Sequence, residues 1–282
     1  MQETRLSVAL VTRNRASSLA RTIRSLRAQT VQPWQVVVSD DSDEAPATEV
    51  RRICADYGCK YLEGPRRGLY ANRNRAAIAC GGTHIRTMDD DHEFPSGHME
   101  QCVAAVDRDD KAVWIIGEYL PGEERPGTSP QCPGQLHPRG FSFAPPDPDD
   151  SWALADGASI YPREIFDRGL RFPEAFRFGA AYLEFGSRLR FLGYRIRQLQ
   201  STYVIHYYEA AKRSVTDPEG EMAAEMFAML CHSFIYQPGV SNKALSAAQI
   251  GLLLIRRQAA AMRALHLALS EFKARRMTPA TN

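Results

Sequence analysis

The stretch Ile85-Arg86-Thr87-Met88-Asp89-Asp90-Asp91-His92-Glu93-Phe94-Pro95 decides how the rest of the chain is interpreted. A short run typical of a buried strand ends in three consecutive carboxylates, and a proline follows shortly after them. Three like charges at a strand end repel one another and lower stability unless a positive charge neutralises them. A divalent cation does this, because Mg²⁺ and Mn²⁺ prefer carboxylate oxygens. The stretch therefore predicts a metal site, with a solvated acidic turn as the alternative.

The chain before this stretch alternates short apolar runs with segments of helical spacing. Residues 6–11 and 34–39 are mostly apolar and rich in β-branched side chains, as in strands buried on both faces of a parallel sheet. Their alternation with helices predicts an α/β fold in which ligands bind at the carboxyl ends of the strands. Asp40 and Asp41 follow the second strand, so we expect them at the same sheet edge as the acidic triplet.

Composition and charge exclude several classes of protein. The 282 residues are 44% hydrophobic and 24% charged, which is typical of a globular protein with one large domain or two closely joined ones. A net charge of +2 gives no basis for nucleic-acid binding. The six cysteines are scattered without a C-x-x-C pair, which argues against a zinc site. With no signal peptide and no long apolar run, the sequence predicts a cytoplasmic protein without a transmembrane segment.

The two least regular parts of the sequence are residues 121–150 and the C-terminal tail. The first is rich in proline and glycine, and we interpret it as a long surface loop, which at this length is usually a functional lid or a disordered segment. The tail predicts a helical extension over residues 211–282, which packs on the body or forms a homodimer through its helices. Its basic residues allow peripheral membrane contact as an alternative. The predicted packing stripe of this tail comprises Leu245, Leu252, Ile255, Ala259, Met262, Leu269 and Phe272.

Six short motifs in chain order resemble those of family 2 glycosyltransferases with the GT-A fold. They are Ser7-Val8-Ala9-Leu10-Val11-Thr12-Arg13-Asn14-Arg15, Ser25-Leu26-Arg27-Ala28-Gln29-Thr30, Val37-Val38-Ser39-Asp40-Asp41-Ser42, Ala71-Asn72-Arg73-Asn74-Arg75, Met88-Asp89-Asp90-Asp91 and Gly193-Tyr194-Arg195-Ile196. The resemblance implies a Rossmann-like, mostly parallel sheet flanked by helices. It implies a GT-A domain over residues 1–210, with a nucleotide-sugar-binding half at 1–100 and an acceptor half at 101–210.

The resemblance also implies residues that bind the donor, a nucleoside diphosphate sugar. Thr12 and Arg13 correspond to the family's cradle for the base, and Asp40 or Asp41 accepts hydrogen bonds from the base edge. An Asx-turn is the structural alternative for these aspartates. Arg73 corresponds to a residue that meets the phosphate or the base, with a surface salt bridge as its alternative. We expect a UDP-sugar, with GDP- and dTDP-sugars as alternatives.

The acidic triplet carries the metal site that the resemblance implies. In the family, Asp89 reaches the ribose or the metal and Asp91 binds the metal directly, and we count Asp90 with the nucleotide-binding residues. His206 resembles a histidine that some relatives supply as a further ligand, and packing is its alternative role. A Mn²⁺ or Mg²⁺ ion bridges the diphosphate and stabilises charge on the leaving group.

The catalytic base is where the sequence departs from the family. An inverting transferase needs a carboxylate that takes the proton from the attacking hydroxyl. The family's Glu-Asp pair falls on Ala181 and Tyr182, so Glu184 is the nearest carboxylate in register and Asp156 is the second candidate. Glu184 is alternatively a first-turn residue that complements the helix dipole.

These observations predict a metal-dependent inverting glycosyltransferase acting on a small-molecule or glycan acceptor, with residues 121–150 as a lid over the acceptor. A sugar-1-phosphate nucleotidyltransferase is disfavoured, because residues 12–15 lack the glycines of its phosphate loop. A non-catalytic sugar-nucleotide-binding protein is the remaining alternative, and the missing Glu-Asp pair favours it.

Overall fold

The computed structural model describes residues 3–208 and 217–277, which form two compact units of discontinuous segments. The first unit contains the described residues of Met1–Cys132, Ala155–Arg171 and Arg197–Ser214. The second contains those of Pro133–Leu154, Phe172–Ile196 and Val215–Asn282. The predicted boundaries at residues 100 and 210 stay predictions, and part of the predicted extension, residues 211–216 and 278–282, lies outside the described residues.

Ten strands and eight α-helices lie within the described ranges. The strands are β1 (Leu6–Thr12), β2 (Gln35–Asp40), β3 (Lys60–Glu63), β4 (His84–Asp89), β5 (His92–Glu93), β6 (Val113–Tyr119), β7 (Gln135–Leu136), β8 (Ser142–Phe143), β9 (Ser159–Pro162) and β10 (Ile196–His206). The helices are α1 (Ala16–Arg27), α2 (Glu44–Asp56), α3 (Leu69–Ile78), α4 (His98–Arg108), α5 (Glu164–Asp167), α6 (Ala181–Phe191), α7 (Pro218–Cys231) and α8 (Val240–Met277). A single π-helical turn, His232–Tyr236, follows α7.

An eight-stranded sheet in the order β3-β2-β1-β4-β9-β6-β10-β5 organises the first unit. Strands β3, β2, β1 and β4 are parallel, whereas β9 runs antiparallel to β4 and β6, and β5 antiparallel to β10. All seven residues of β1 are buried, which explains its continuous apolar sequence. The predicted fold class, a mostly parallel sheet flanked by helices, is confirmed.

The sequence expectations differ from the structure mainly in the second half of the chain. The sequence of residues 194–198 and 202–206 predicts two closing strands, but β10 runs through the intervening residues as one strand. Residues 121–150 contain the short hairpin of β7 and β8 and are otherwise irregular, and the acceptor-lid role stays a prediction.

The C-terminal helices are present, but the predicted packing stripe of α8 is wrong. Ile255 is 77% exposed and Met262 59% exposed, whereas Phe272 is buried. Small residues occupy most of the buried face instead, because they let the helix approach its neighbours closely. A break at Gln258 (φ 35°, ψ −111°) also interrupts the helical phase on which the stripe was based. The buried residues of α8 are Ser246, Ile250, Ala261, Ala264, Ala268 and Phe272.

Within residues 3–208 and 217–277, no helix is both long and apolar enough to cross a bilayer. The homodimer and the peripheral membrane contact of the tail stay predictions.

Candidate functional site

The carboxyl ends of β1, β2 and β4 bring the predicted donor residues to one edge of the sheet. Thr12 at the end of β1 is aligned with Asp40 at the end of β2, and Val11 is aligned with Asp89 at the end of β4. Parallel strands in this register align their ends, so residues far apart in sequence meet at the same edge.

Asp90 fixes the turn between β4 and β5. Its fully buried carboxylate accepts a hydrogen bond from Thr12 Oγ1 at 2.6 Å and forms an ion pair with Arg15. Arg15 also donates to Asp91 Oδ2 at 2.8 Å. Burial raises the pKa of Asp90 to about 7, against the lowering effect of Arg15. The sequence did not indicate this bridging role of Arg15, whose partners lie more than 70 positions away.

Asp91, His92 and His206 form a cluster with the composition of a metal centre. One potential ligand atom from each lies within 4.8 Å of the other two. His206 Nε2 lies 3.4 Å from Asp91 Oδ1, and the two imidazole rings meet edge to face with centroids 4.9 Å apart. Carboxylate oxygen and imidazole nitrogen both coordinate divalent ions, so the cluster fits the predicted cation.

The electrostatics of this cluster follow from burial and from its mutual contacts. Burial lowers the pKa of His206, but hydrogen bonds and charge attraction from Asp91 and Glu118 outweigh it and raise the pKa to about 11. Burial raises the pKa of Asp91, yet the hydrogen bond from His206 and the charges of His92 and Arg15 bring it below its ordinary value. Burial lowers the pKa of His92.

His92 was missed by the sequence analysis. A lone histidine after an acidic turn has no spacing that distinguishes a ligand from a packing residue. The one feature that could have marked His92 as a ligand candidate is its position at the start of a strand directly after Asp91. His92 is aligned with His206 across the antiparallel pair of β5 and β10, and sequence alone gives no such long-range register.

Asp89 lies in a second group, with Arg73 and Asp156. The fully buried Arg73 donates through Nη2 to Asp89 Oδ1 at 2.9 Å and to Asp156 Oδ2 at 3.3 Å. Gly157 packs so closely that a Cβ atom there would lie 2.0 Å from Asp89 Oδ2. Burial raises the pKa of Asp156 to about 6, although Arg73 lowers it. The salt bridge expected as an alternative for Arg73 therefore forms in the interior of the site.

Asp40 and Asp41 close the loop after β2. Asp40 Oδ1 accepts a hydrogen bond from the Ser42 amide at 2.9 Å, which is the Asx-turn considered as an alternative. Asp41 Oδ1 accepts from the Arg66 amide at 2.8 Å, and Gly64 leaves it room, because a Cβ atom there would lie 2.1 Å away. Both carboxylates are largely buried, and burial raises the pKa of Asp41 against the lowering effects of the Arg66 amide and the half-exposed Arg13. Their role with a base edge stays a prediction.

Glu184 belongs to the second unit, where its buried carboxylate has three partners. Tyr236 donates its hydroxyl to Oε1 at 2.5 Å, and Arg275 and Arg188 lie 3.0 and 3.5 Å from the same oxygen. The residue is fully buried. These contacts join α6, the π-helical turn and the end of α8, and the role of Glu184 as a base stays a prediction.

The family model "Glycosyl transferase family 2" matches residues 7–170. The uncharacterized glycosyltransferase YwdF of Bacillus subtilis is 26% identical over 125 residues, which cover 44% of this chain and 46% of that protein. The chain thus spans about half the length of this relative.

Two solved structures resemble the fold at low sequence identity. Residues 1–349 of S. aureus TarS, in complex with UDP-GlcNAc, match at a TM-score of 0.63 with 18% identity, covering 89% of this chain and 72% of that one. GalNAc-T7 with UDP, GalNAc and Mn²⁺ matches at 0.61 with 16% identity, covering 87% and 55%. At such identities the likeness shows the fold.

Proposed function

Because the chain belongs to glycosyl transferase family 2, we propose that it is a metal-dependent inverting glycosyltransferase. It moves a sugar from a nucleoside diphosphate to a hydroxyl or amine of a small-molecule or glycan acceptor. The observation that carries the proposal is the meeting of Thr12, Asp40 and the acidic triplet at one sheet edge, beside a buried carboxylate–histidine cluster.

The donor is proposed to lie across the carboxyl ends of β1, β2 and β4. The nucleotide base of the donor is proposed to lie among four side chains, those of Asp40, Asp41, Thr12 and Arg13. The buried Arg73 acts through its ion pair with Asp89, which turns towards the ribose. The similar fold of TarS with bound UDP-GlcNAc supports a UDP-sugar ahead of GDP- and dTDP-sugars.

The diphosphate is proposed to face Asp91 and His206, with Asp89 as a further ligand when the donor is bound. A divalent ion held there neutralises the charge that develops on the leaving nucleoside diphosphate. Arg15 contacts Asp90 and the Oδ2 atom of Asp91. Both carboxylates would therefore keep their orientation when Asp91 Oδ1 binds the ion.

Asp156 is proposed as the catalytic base ahead of Glu184. The side chain of Asp156 is 21% exposed, and its pKa of about 6 lets it accept a proton near neutral pH. Glu184 is fully buried, and Tyr236, Arg275 and Arg188 all contact its Oε1, which favours a structural role for this carboxylate over that of a base.

Thermal unfolding with UDP, GDP, dTDP and their sugars, each with and without Mn²⁺, tests the donor site. A ligand at 100 times its Kd adds about 2.7 kcal/mol, which raises the Tm by several degrees. We expect a metal-dependent shift with a uridine nucleotide that is lost in Asp91→Asn and kept in the control Asp110→Asn. Asp110 is exposed and lies outside the site.

Two outcomes separate the alternatives. A shift without release of UDP from any sugar donor, over a panel of glycan and small-molecule acceptors, would favour the non-catalytic sugar-nucleotide-binding protein. No shift with any nucleotide would contradict both functions. If transfer occurs, the anomeric configuration of the product, read by proton NMR, tests whether it inverts.

A further inference from the structure

His92 is buried in a way that calls for a ligand. It has no exposed surface, and neither ring nitrogen has a hydrogen-bond partner among the described residues. Leaving a buried polar group unpaired lowers stability, because the group has lost its hydrogen bonds to water without replacement. Such a group in a native protein needs a partner that the polypeptide does not supply.

The neighbours of His92 place two further ligand atoms at the spacing of a coordination shell. The group formed with Asp91 and His206 keeps all three atoms within 4.8 Å of one another. Ligands about 2.1 Å from one ion lie roughly 3–4.2 Å apart, so small adjustments close the shell. Strands β5 and β10 hold His92 and His206 opposite each other, so two of the ligands sit on paired backbone.

We infer that His92 is a metal ligand, and that the Asp91–His92–His206 centre selects a first-row transition-metal ion such as Mn²⁺ or Co²⁺ over Mg²⁺. Mg²⁺ requires oxygen ligands and keeps most of its water, whereas imidazole nitrogen suits transition metals. Two of the three ligands here are imidazoles. The inference deepens the proposed function and rests on it for the role of the ion.

Glu118 is the positioning residue of this centre. Its Oε2 lies 2.9 Å from His206 Nδ1, so His206 donates its Nδ1 proton there and presents Nε2 to the ion. A carboxylate behind a metal-bound histidine fixes the tautomer and the ring plane, and its loss lowers metal affinity about 10–100-fold. Glu118 comes from β6, which neighbours β10 in the sheet.

Asp91 divides its two oxygens between different partners. Arg15 holds Oδ2 at 2.8 Å, and Oδ1 faces His206 Nε2. One oxygen therefore remains directed at the ion while the other keeps the carboxylate from rotating. This arrangement favours monodentate binding by Asp91, and the two histidines then decide the selection of the metal.

Metal titration of the full chain tests the inference without measuring transfer. Loss of the free Mn²⁺ EPR signal gives the Kd, and competition with Mg²⁺ gives the selectivity, both with and without UDP. We expect one Mn²⁺ per chain, bound at least about 10-fold more tightly than Mg²⁺. His92→Asn should weaken Mn²⁺ binding by at least about 10-fold with a much smaller effect on Mg²⁺, and Glu118→Gln should weaken it about 10–100-fold.

His84→Asn is the matched control. His84 lies at the opposite end of β4 and contacts Thr83 and the Asp110 carbonyl, so its loss should leave Mn²⁺ affinity unchanged. Circular dichroism checks that each variant folds. If His92→Asn does not fold, Glu118→Gln, which keeps the shape of its side chain, tests the centre through His206.

Equal affinity for Mn²⁺ and Mg²⁺, no metal binding in either condition, or wild-type Mn²⁺ affinity in folded His92→Asn would overturn the inference. Selective Mn²⁺ binding without any sugar transfer would support it while contradicting the proposed function. Sugar transfer that is unaffected by metal removal would contradict the metal dependence of the proposed function, and the Mn²⁺ titration would still decide the inference.

Discussion

Replacing Gly157 with alanine tests how strictly Asp89 must be placed. The new Cβ atom would lie 2.0 Å from Asp89 Oδ2 and 2.6 Å from Asp89 Cγ. Non-bonded heavy atoms normally stay about 3.5 Å apart, so the carboxylate must move by roughly 1.5 Å. A side-chain end can usually rotate away cheaply, but Asp89 is held by Arg73 at 2.9 Å.

The movement leaves the fully buried guanidinium with one fewer carboxylate partner. Its Nε and Nη1 atoms already have no partner among the described residues. Losing one charge-assisted hydrogen bond costs about 1.5–3 kcal/mol, and a mean value of about 2 kcal/mol lowers the Tm by roughly 4–8 °C. A misplacement of about 1 Å at a reacting centre reduces turnover about 100-fold.

Differential scanning calorimetry and UDP-release kinetics measure the two effects. Gly251→Ala is the control for adding a methyl group, because nothing lies within 4 Å of its Cβ and the residue sits in α8. Gly251→Ala should keep the wild-type turnover and raise stability slightly. Wild-type Tm and turnover in Gly157→Ala would refute the argument that Arg73 fixes Asp89.

The two remaining predictions concern the rival bases and the second unit. Asp156→Asn should lower turnover about 10²–10⁴-fold with nucleotide binding retained, whereas Glu184→Gln should chiefly lower the Tm, because it removes the charge that faces Arg188 and Arg275. The reverse pattern in steady-state kinetics and calorimetry would restore Glu184 as the base. Burial, and to a lesser extent His137, lowers the pKa of His232 to about 4, so between pH 6.5 and 4 only the unfolded chain binds this proton. Stability should therefore fall by up to about 3 kcal/mol as the pH drops through that window, and urea unfolding of His232→Gln should lose this part of the pH dependence; an unchanged dependence would rule out His232 as its source.

The local parts of the fold were predictable from the sequence. The all-buried strand β1 is a largely apolar run, the strand that leads into Asp89 is marked by the acidic triplet at its end, and the motifs in chain order predict both at the family's donor edge. Adjacent residues and short periodicities carry this information directly.

The parts that depend on distant partners were not predictable. Glu184 was recognised as a first-turn helix residue, but its burial arises from Tyr236, which lies 52 positions later, and from Arg275. His92 becomes a candidate ligand only through its strand pairing with His206. Glu118 becomes its positioning residue only through a contact with His206, 88 positions away. The stripe on α8 was misjudged because periodicity gives the faces of a helix and leaves open which face its neighbours cover.

Because β5 pairs with β10, which comes much later in the chain, the site can be completed only late in synthesis. Asp91 and His92 leave the ribosome early, but His206, which lies opposite His92, is the last residue of the last strand of the sheet. A chain emerging from its N-terminus can align β1, β2 and β4 before β10 exists, whereas the pairing across more than 100 residues forms late. The parallel half of the sheet can therefore assemble on a nascent chain while the histidine pair is still open, so a chain that stops before β10 has the carboxylates without the centre.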